Sequence, residues 1–457
     1  MNVHGFLYLY ASLGAREALS AAWQSPPTPG EFVATVAHTL KNGLTVLLDP
    51  MPEAPAVTVW VGYKVGSRNE RPGITGATHW VEHMLFKGGG ALKKGDIDAI
   101  VGRLGGKFNG FTDTDYTIYF ETPSPDHLDA ALMIEAERMR NAAFDPQETE
   151  AERGVIISER EGGENNPKVL LSEEMWHLAF HAHPYHWPVI GWKTDLERIR
   201  RDELYDYYRQ HYAPNNAVLT IVGAFSEDEA MRRVQAHFGA FRPEDQAAPL
   251  AVTEAPQEGE RRGVIRRAGT QDHLMIGYRV PEVTHADTAP LLVLQAVLGG
   301  WHGVGFLGGA FVSRSNRLYR GLVDTKLATD VGAQHALRRD PGLFVVEATV
   351  REGVDPVKVE RATGEVVEKL RRKAPTEAEM ARALRQIRVW HGYDRDGPTA
   401  KALLLTWFEV IANHGLLDAL LERCQSVAAE DVRRVADAYL GEDHRTVCTF
   451  LARKEAP

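Results

Sequence analysis

Gly76-Ala-Thr-His79-Trp-Val-Glu82-His83-Met-Leu-Phe-Lys-Gly-Gly-Gly90 is the stretch on which the reading of this chain turns. As a helix it sets His79 and His83 at i and i+4, one above the other on a single face. Two imidazoles so spaced can grip one metal ion, and zinc favours nitrogen ligands in a tetrahedral set. Glu82, one residue before the second histidine, is close enough to exchange a proton with water at such an ion. The order H-x-x-E-H inverts the commoner metal-binding H-E-x-x-H. Three fixed letters in five are only moderately specific, so a third ligand is needed.

Glu148-Thr-Glu-Ala-Glu152-Arg-Gly-Val-Ile-Ile-Ser-Glu159-Arg-Glu161 supplies a candidate. Glu152 and Glu159 are two helical turns apart and share a face, and the mostly apolar Gly154 to Ile157 between them suits a helix packed into a core. With these residues in view the sequence resembles the M16 family of zinc metallopeptidases, which includes pitrilysin, insulin-degrading enzyme and the mitochondrial processing peptidase. In that family a glutamate seventy-odd residues beyond H-x-x-E-H completes the zinc site, and another seven residues earlier supports it. Glu159 lies 76 positions after His83, with Glu152 in the supporting place.

The resemblance implies one Zn2+ per chain on His79, His83 and Glu159, with Glu82 as catalytic base and Glu152 orienting a ligand or the base. It implies a peptide or unfolded segment as substrate. Beyond Gly105-Gly106, the stretch Lys107 to Thr122 reads as an alternating aromatic strand pair. In the family the matching stretch is a sheet edge that holds substrate as an added strand. Asn109 is therefore the expected substrate contact. A second contact is expected at Arg317, where the family carries an arginine, with a tyrosine seven residues later. Here Gly321-Leu-Val-Asp324 puts aspartate in that place. A carboxylate cannot replace a phenol as a neutral hydrogen-bond donor to a developing oxyanion. The departure resembles two-subunit M16 enzymes, in which one chain brings zinc and another the arginine and tyrosine; the competing explanation is a slip of a few residues in matching the family, since Tyr319 lies close by. An M16-like partner, in a hetero- or homodimer, is thus expected. The alternatives are a self-sufficient peptidase and, from another class, a non-catalytic assembly subunit.

The chain has 457 residues, 44% hydrophobic and 25% charged, which suits soluble globular material in two or more domains. A net charge of −10 argues against nucleic-acid binding. Two cysteines, Cys424 and Cys448, make no disulfide framework or zinc-finger spacing and read as buried thiols. Residues 1–31 read as a leader or disordered segment, because no Lys or Arg precedes the apolar Gly5 to Ala15. A cytoplasmic location is expected, or a periplasmic or secreted one should residues 1–25 be a signal.

Residues 32–241 then form the expected zinc-binding domain, 242–262 a polar, proline-bearing linker, and 263–457 a second domain. Thr58-Val-Trp-Val-Gly-Tyr-Lys-Val has a counterpart in His273-Leu-Met-Ile-Gly-Tyr-Arg-Val, and a tyrosine-ended helix precedes an apolar strand near each half's end (Tyr212, Tyr439). This weak, ordered repeat predicts an α+β fold of two homologous domains, each a mainly antiparallel sheet packed with helices. The repeat fails at the metal site, since Ala289 to Ala296 holds no histidine or glutamate. His177, His181, His183 and His186 invite a second metal, but Pro184 breaks the helical spacing and structural roles fit better. Residues 291–312 carry no charge, yet their glycines favour a buried helix and loop over a membrane span. Thr399 to Leu421 reads as one long helical stretch, and Lys369 to Lys373 as a solvated basic face.

Overall fold

The computed structural model describes residues 35–246, 250–301, 303, 314–393 and 395–453. The expected leader, and residues 304–313 of the expected glycine-rich loop, lie outside them.

The first sheet contains β1 (Val36–Thr39), β2 (Thr45–Pro50), β3 (Val57–Tyr63), β4 (Lys107–Thr112), β5 (Thr117–Thr122) and β6 (Ala217–Gly223). Its order is β1-β2-β6-β3-β5-β4. Between and after these strands run α1 (Ala77–Met84), α2 (Asp96–Arg103), α3 (Leu128–Asn141), α4 (Pro146–Gly163), α5 (Pro167–Ala179), α6 (Arg201–His211) and α7 (Glu227–Phe238). The second sheet has β7 (Arg261–Ala268), β8 (His273–Val280), β9 (Ala328–His335), β10 (Gly342–Val350) and β11 (Arg445–Arg453), in the order β7-β11-β8-β10-β9. Its helices are α8 (Thr288–Leu298), α9 (Pro356–Arg372), α10 (Glu377–Tyr393), α11 (Gly397–Ile411), α12 (Gly415–Gln425) and α13 (Ala429–Tyr439).

Without β1 the two sheets have the same topology. The β2/β6 pair is parallel, like β7/β11, and every other pairing is antiparallel in both. The fold is α+β with two repeats, and the repeat read at Thr58 and His273 falls on equivalent strands, β3 and β8.

Each half lends the other a helix. Strand β3 is buried along its whole length, as a strand covered on both faces must be. Val59, Val61 and Tyr63 enter a core with α1, α3, α6 and α7, while Trp60 enters the core that holds Trp407 of α11. The Thr406 hydroxyl on α11 donates to the Thr220 hydroxyl of β6 at 2.8 Å. Reciprocally, Leu171 and Met175 of α5 pack with Met275, Leu343 and Phe450 of the second sheet. The glycine shared by the two repeated stretches marks both docking points. A Cβ on Gly62 would sit 2.7 Å from Thr406 and 2.8 Å from Val410; one on Gly277 would sit 2.6 Å from Met175. Gly62→Ala is therefore expected to overpack this contact and cost about 1–3 kcal/mol, read as a lower denaturant midpoint at unchanged slope.

The stretch read as one helix from Thr399 to Leu421 is two, bent by 94°. The break comes where Glu409 accepts the His414 N–H at 2.9 Å and Asn413 caps the Leu416 N–H at 3.0 Å, so side chains satisfy the new helix start. This pair has the length and composition of a bent span, but α11 is buried on both sheet 1 strands it crosses; among the described residues no single helix is long and apolar enough to cross a membrane. Cys424 and Cys448 are buried, and burial pushes both thiols up to about 12.

Candidate metal centre

Helix α1 opens at Gly76, whose φ of +89° and lack of room for a Cβ, 2.4 Å from the Ile190 carbonyl, require glycine. The cap comes from a distance: the Glu70 carboxylate accepts the N–H groups of Gly76 and Thr78, both at 2.8 Å. Burial raises the Glu70 carboxyl to about 8 even though these two bonds act to lower it. All of α1 except His83 is buried, so its register is fixed by packing. Helix α4 starts with Asp145 accepting from Gln147 and Glu148 and with Pro146 in its first turn. Arg153 of α4 lies over the Trp80 ring of α1 at 4.8 Å and donates to the Ile199 carbonyl at 2.9 Å, which holds the two helices together.

This packing brings His79, His83 and Glu159 together, with one ligand atom from each within 4.8 Å of the others. Glu159 Oε2 is 3.5 Å from His83 Nε2 and 3.9 Å from His79 Nε2. Both Glu159 oxygens are buried without a hydrogen-bond partner. Buried carboxylate oxygens rarely stay unpaired, and a cation among these three groups would satisfy them. The residues therefore fit a zinc ion.

His83 Nδ1 is 2.8 Å from Glu152 Oε1, and Lys87 pairs with the other Glu152 oxygen. Against the burial that would raise it, His83 and Lys87 draw the Glu152 carboxyl down to about 2. Burial opposes charge on His83 as well, but Glu152, Glu82 and Glu159 pull its pKa above the usual value. Burial, with His83 beside it, holds His79 well below the histidine range. Burial raises Glu82 although the Thr112 hydroxyl donates to it at 2.7 Å.

His79, Glu82, His83, Glu152 and Glu159 line a cavity of about 1280 Å³, above the roughly 300–1,000 Å³ of small-molecule pockets. Strand β4, an edge of its sheet, lines it from Asn109 to Thr112. Asn109 is half-buried there, its side-chain oxygen accepting the Gly110 N–H at 2.9 Å. Arg317 is not brought to the cavity. Its guanidinium forks onto Glu379 at 2.8 and 2.9 Å, a charge-assisted pair that holds it elsewhere and helps draw Glu379 down to about 2. Asp324 follows the turn Tyr319–Val323, also outside the cavity lining. The four histidines after Leu170 form no metal-ligand cluster among the described residues: His183 pairs with Asp340 at 2.9 Å, and His177 meets His186 and Trp192 edge-on, each at 6.0 Å between ring centres. Sequence reasoning missed Lys87, Thr112 and Arg338 around the cavity. Only Lys87, four residues past His83, carried a spacing signal.

Residues 45–191 match the family described as insulinase, peptidase family M16, and residues 198–387 match the peptidase M16 inactive domain. The zinc protease PqqE of Helicobacter pylori is 32% identical over 348 residues, 75% of this chain and 76% of its own. The chain belongs to peptidase family M16. The mitochondrial-processing peptidase subunit beta of Lentinula edodes is 26% identical, covering 91% of this M16 chain and 90% of its own. A crystal structure of a protease from Helicobacter pylori superposes with a TM-score of 0.85 at 28% identity, over 92% of this chain and 99% of that one. The family match and the converging His-His-Glu set thus occur in one chain.

Proposed function

We propose that this M16 chain is a zinc-dependent metalloendopeptidase acting on peptides or unfolded segments, and the catalytic, β-type subunit of a two-subunit enzyme. The observation that carries the reading is the convergence of His79, His83 and Glu159 beside Glu82 in a cavity bounded by a sheet edge. In this reading residues 32–241 are the catalytic domain and 263–457 the metal-less one, joined by 242–262.

His79, His83 and Glu159 would hold one zinc ion. When bound, it would supply Lewis acidity to polarise a carbonyl and acidify water. Glu82, raised by burial, takes a proton from the attacking water and returns it to the leaving amine. Thr112 keeps that carboxylate aimed. Glu152 accepts from His83 Nδ1, which fixes the tautomer that leaves Nε2 for the metal, and Lys87 keeps Glu152 ionised. The β4 edge, with Asn109, binds substrate main chain irrespective of its side chains.

Two features support a partner: the aspartate at position 324 where a tyrosine is expected, and the commitment of Arg317 to Glu379. The Lentinula relative is itself named as a subunit. The test is zinc analysis of the purified chain followed by cleavage of a quenched, unstructured peptide library, with and without a zinc-less M16 chain encoded nearby. One zinc per chain and chelator-sensitive cleavage that needs the second chain are expected. A chain that takes up no zinc overturns the reading, and full turnover alone overturns the two-subunit part.

A further inference from the structure

We infer that Arg338 is a positioning residue for substrate, by which the metal-less half fixes the end of the β4 edge. The inference rests on the reading of β4 as the peptide-binding edge.

The topological repeat makes β4–β5 and β9–β10 equivalent hairpins, and their turns meet. Two consecutive residues of the second turn, Arg338 and Arg339, grip the first, and the next, Asp340, grips the residues beside it. Arg338 Nη1 is 2.7 Å from Asp113 Oδ1. The Arg339 N–H donates to Asp115 Oδ2 at 3.0 Å. Asp340 pairs with Arg68, whose guanidinium also faces Asp115 at 3.6 Å, and with His183 Nε2. Asp113 is the residue directly after β4. Its carboxylate also accepts from the Thr114 N–H at 2.7 Å and the Tyr116 hydroxyl at 3.2 Å, so it organises the turn. Tyr185 closes the set by donating to Asp115 at 2.7 Å.

An edge strand binds a peptide through main-chain groups, and its affinity depends on how little those groups must be ordered on binding. Strand β4 pairs on one side only, with β5, so the placing of its turn end depends in part on what holds Asp113. Arg338 supplies that hold from within the cavity wall, where its guanidinium also lies over the Trp176 ring at 5.6 Å. The metal set sits on α1 and α4, whereas Arg338 pairs with Asp113 of the turn and lies over Trp176 of α5. Loss of Arg338 is thus expected to weaken peptide binding and leave metal binding intact.

The experiment uses the full chain carrying Glu82→Gln, so that peptide is bound and not cut. The dissociation constant of a fluorescein-labelled unstructured peptide is measured by anisotropy, zinc affinity by chelator competition, and amide exchange across residues 107–112 by mass spectrometry. Arg338→Met is expected to weaken peptide binding about tenfold and speed exchange in β4, with zinc affinity within about twofold of the parent. Arg338→Lys, which keeps the charge without the fork, should fall between. Unchanged exchange in β4, or parent-like peptide binding by Arg338→Met, overturns the inference. So does a parallel loss of zinc, because the effect would then run through the metal helix. If the parent binds no peptide even with the second chain present, the peptidase reading fails, and exchange in β4 still decides whether Arg338 positions the edge.

Discussion

Glu82→Gln is expected to lower peptide turnover by about 10²–10⁴-fold while zinc stays bound, the range typical of a lost general base. The substitution keeps the size of the side chain and the oxygen that the Thr112 hydroxyl reaches at 2.7 Å. It removes only the capacity to carry a proton. Glu82 is not among the three converging ligands, so metal content should not change. Burial already raises this carboxyl, which brings its proton affinity closer to that of its task near neutral pH. The measurement is zinc content and kcat of the assembled enzyme, wild type beside variant. Turnover near the wild-type rate would refute the role; loss of zinc would assign Glu82 to the metal instead.

The second large effect is on metal-linked stability. A ligand that binds only the folded chain stabilises it by about 4 kcal/mol at a thousandfold excess over its dissociation constant. Zinc should therefore raise the melting temperature of the wild-type chain. His79→Ala removes a ligand from a set of three and should abolish that rise. The metal-free melting temperature should change less, because His79 Nδ1 has no hydrogen-bond partner to lose. Paired thermal melts with and without zinc, on both proteins, make the comparison. An undiminished zinc shift in His79→Ala would remove the histidine from the site.

What was legible in the sequence was legible because it is local. Helical spacing alone places His79 above His83 and Glu152 in line with Glu159, and the structure puts them on α1 and α4. The Val-Gly-Tyr and Ile-Gly-Tyr stretches signalled the repeat, and their glycines prove to be the seats of the exchanged helices. What was hidden is tertiary. Glu70 caps α1 from six residues upstream of Gly76, and Arg338 reaches Asp113 from 225 positions away; neither leaves a periodic trace. Arg317 was placed by the family resemblance, and a place in the sequence does not determine which way a side chain faces. The bend at Asn413 escaped because apolar residues continue on either side of it, and the break is made by side-chain caps on Leu416 and His414.

The exchange of α5 and α11 also sets the order in which the chain can finish folding as it is made. The last strand of the first sheet ends at Gly223, but the helix that covers the face around Trp60 ends at Ile411. At synthesis rates of about 5–20 residues per second, that face stays bare for roughly 10–40 s after its last strand has been made. Helix α5 waits equally for the sheet it belongs to, completed only by Arg453. The first half is thus finished by the other half's late arrival, and the interval between them is the time in which the nascent chain leaves the apolar face around Trp60 uncovered.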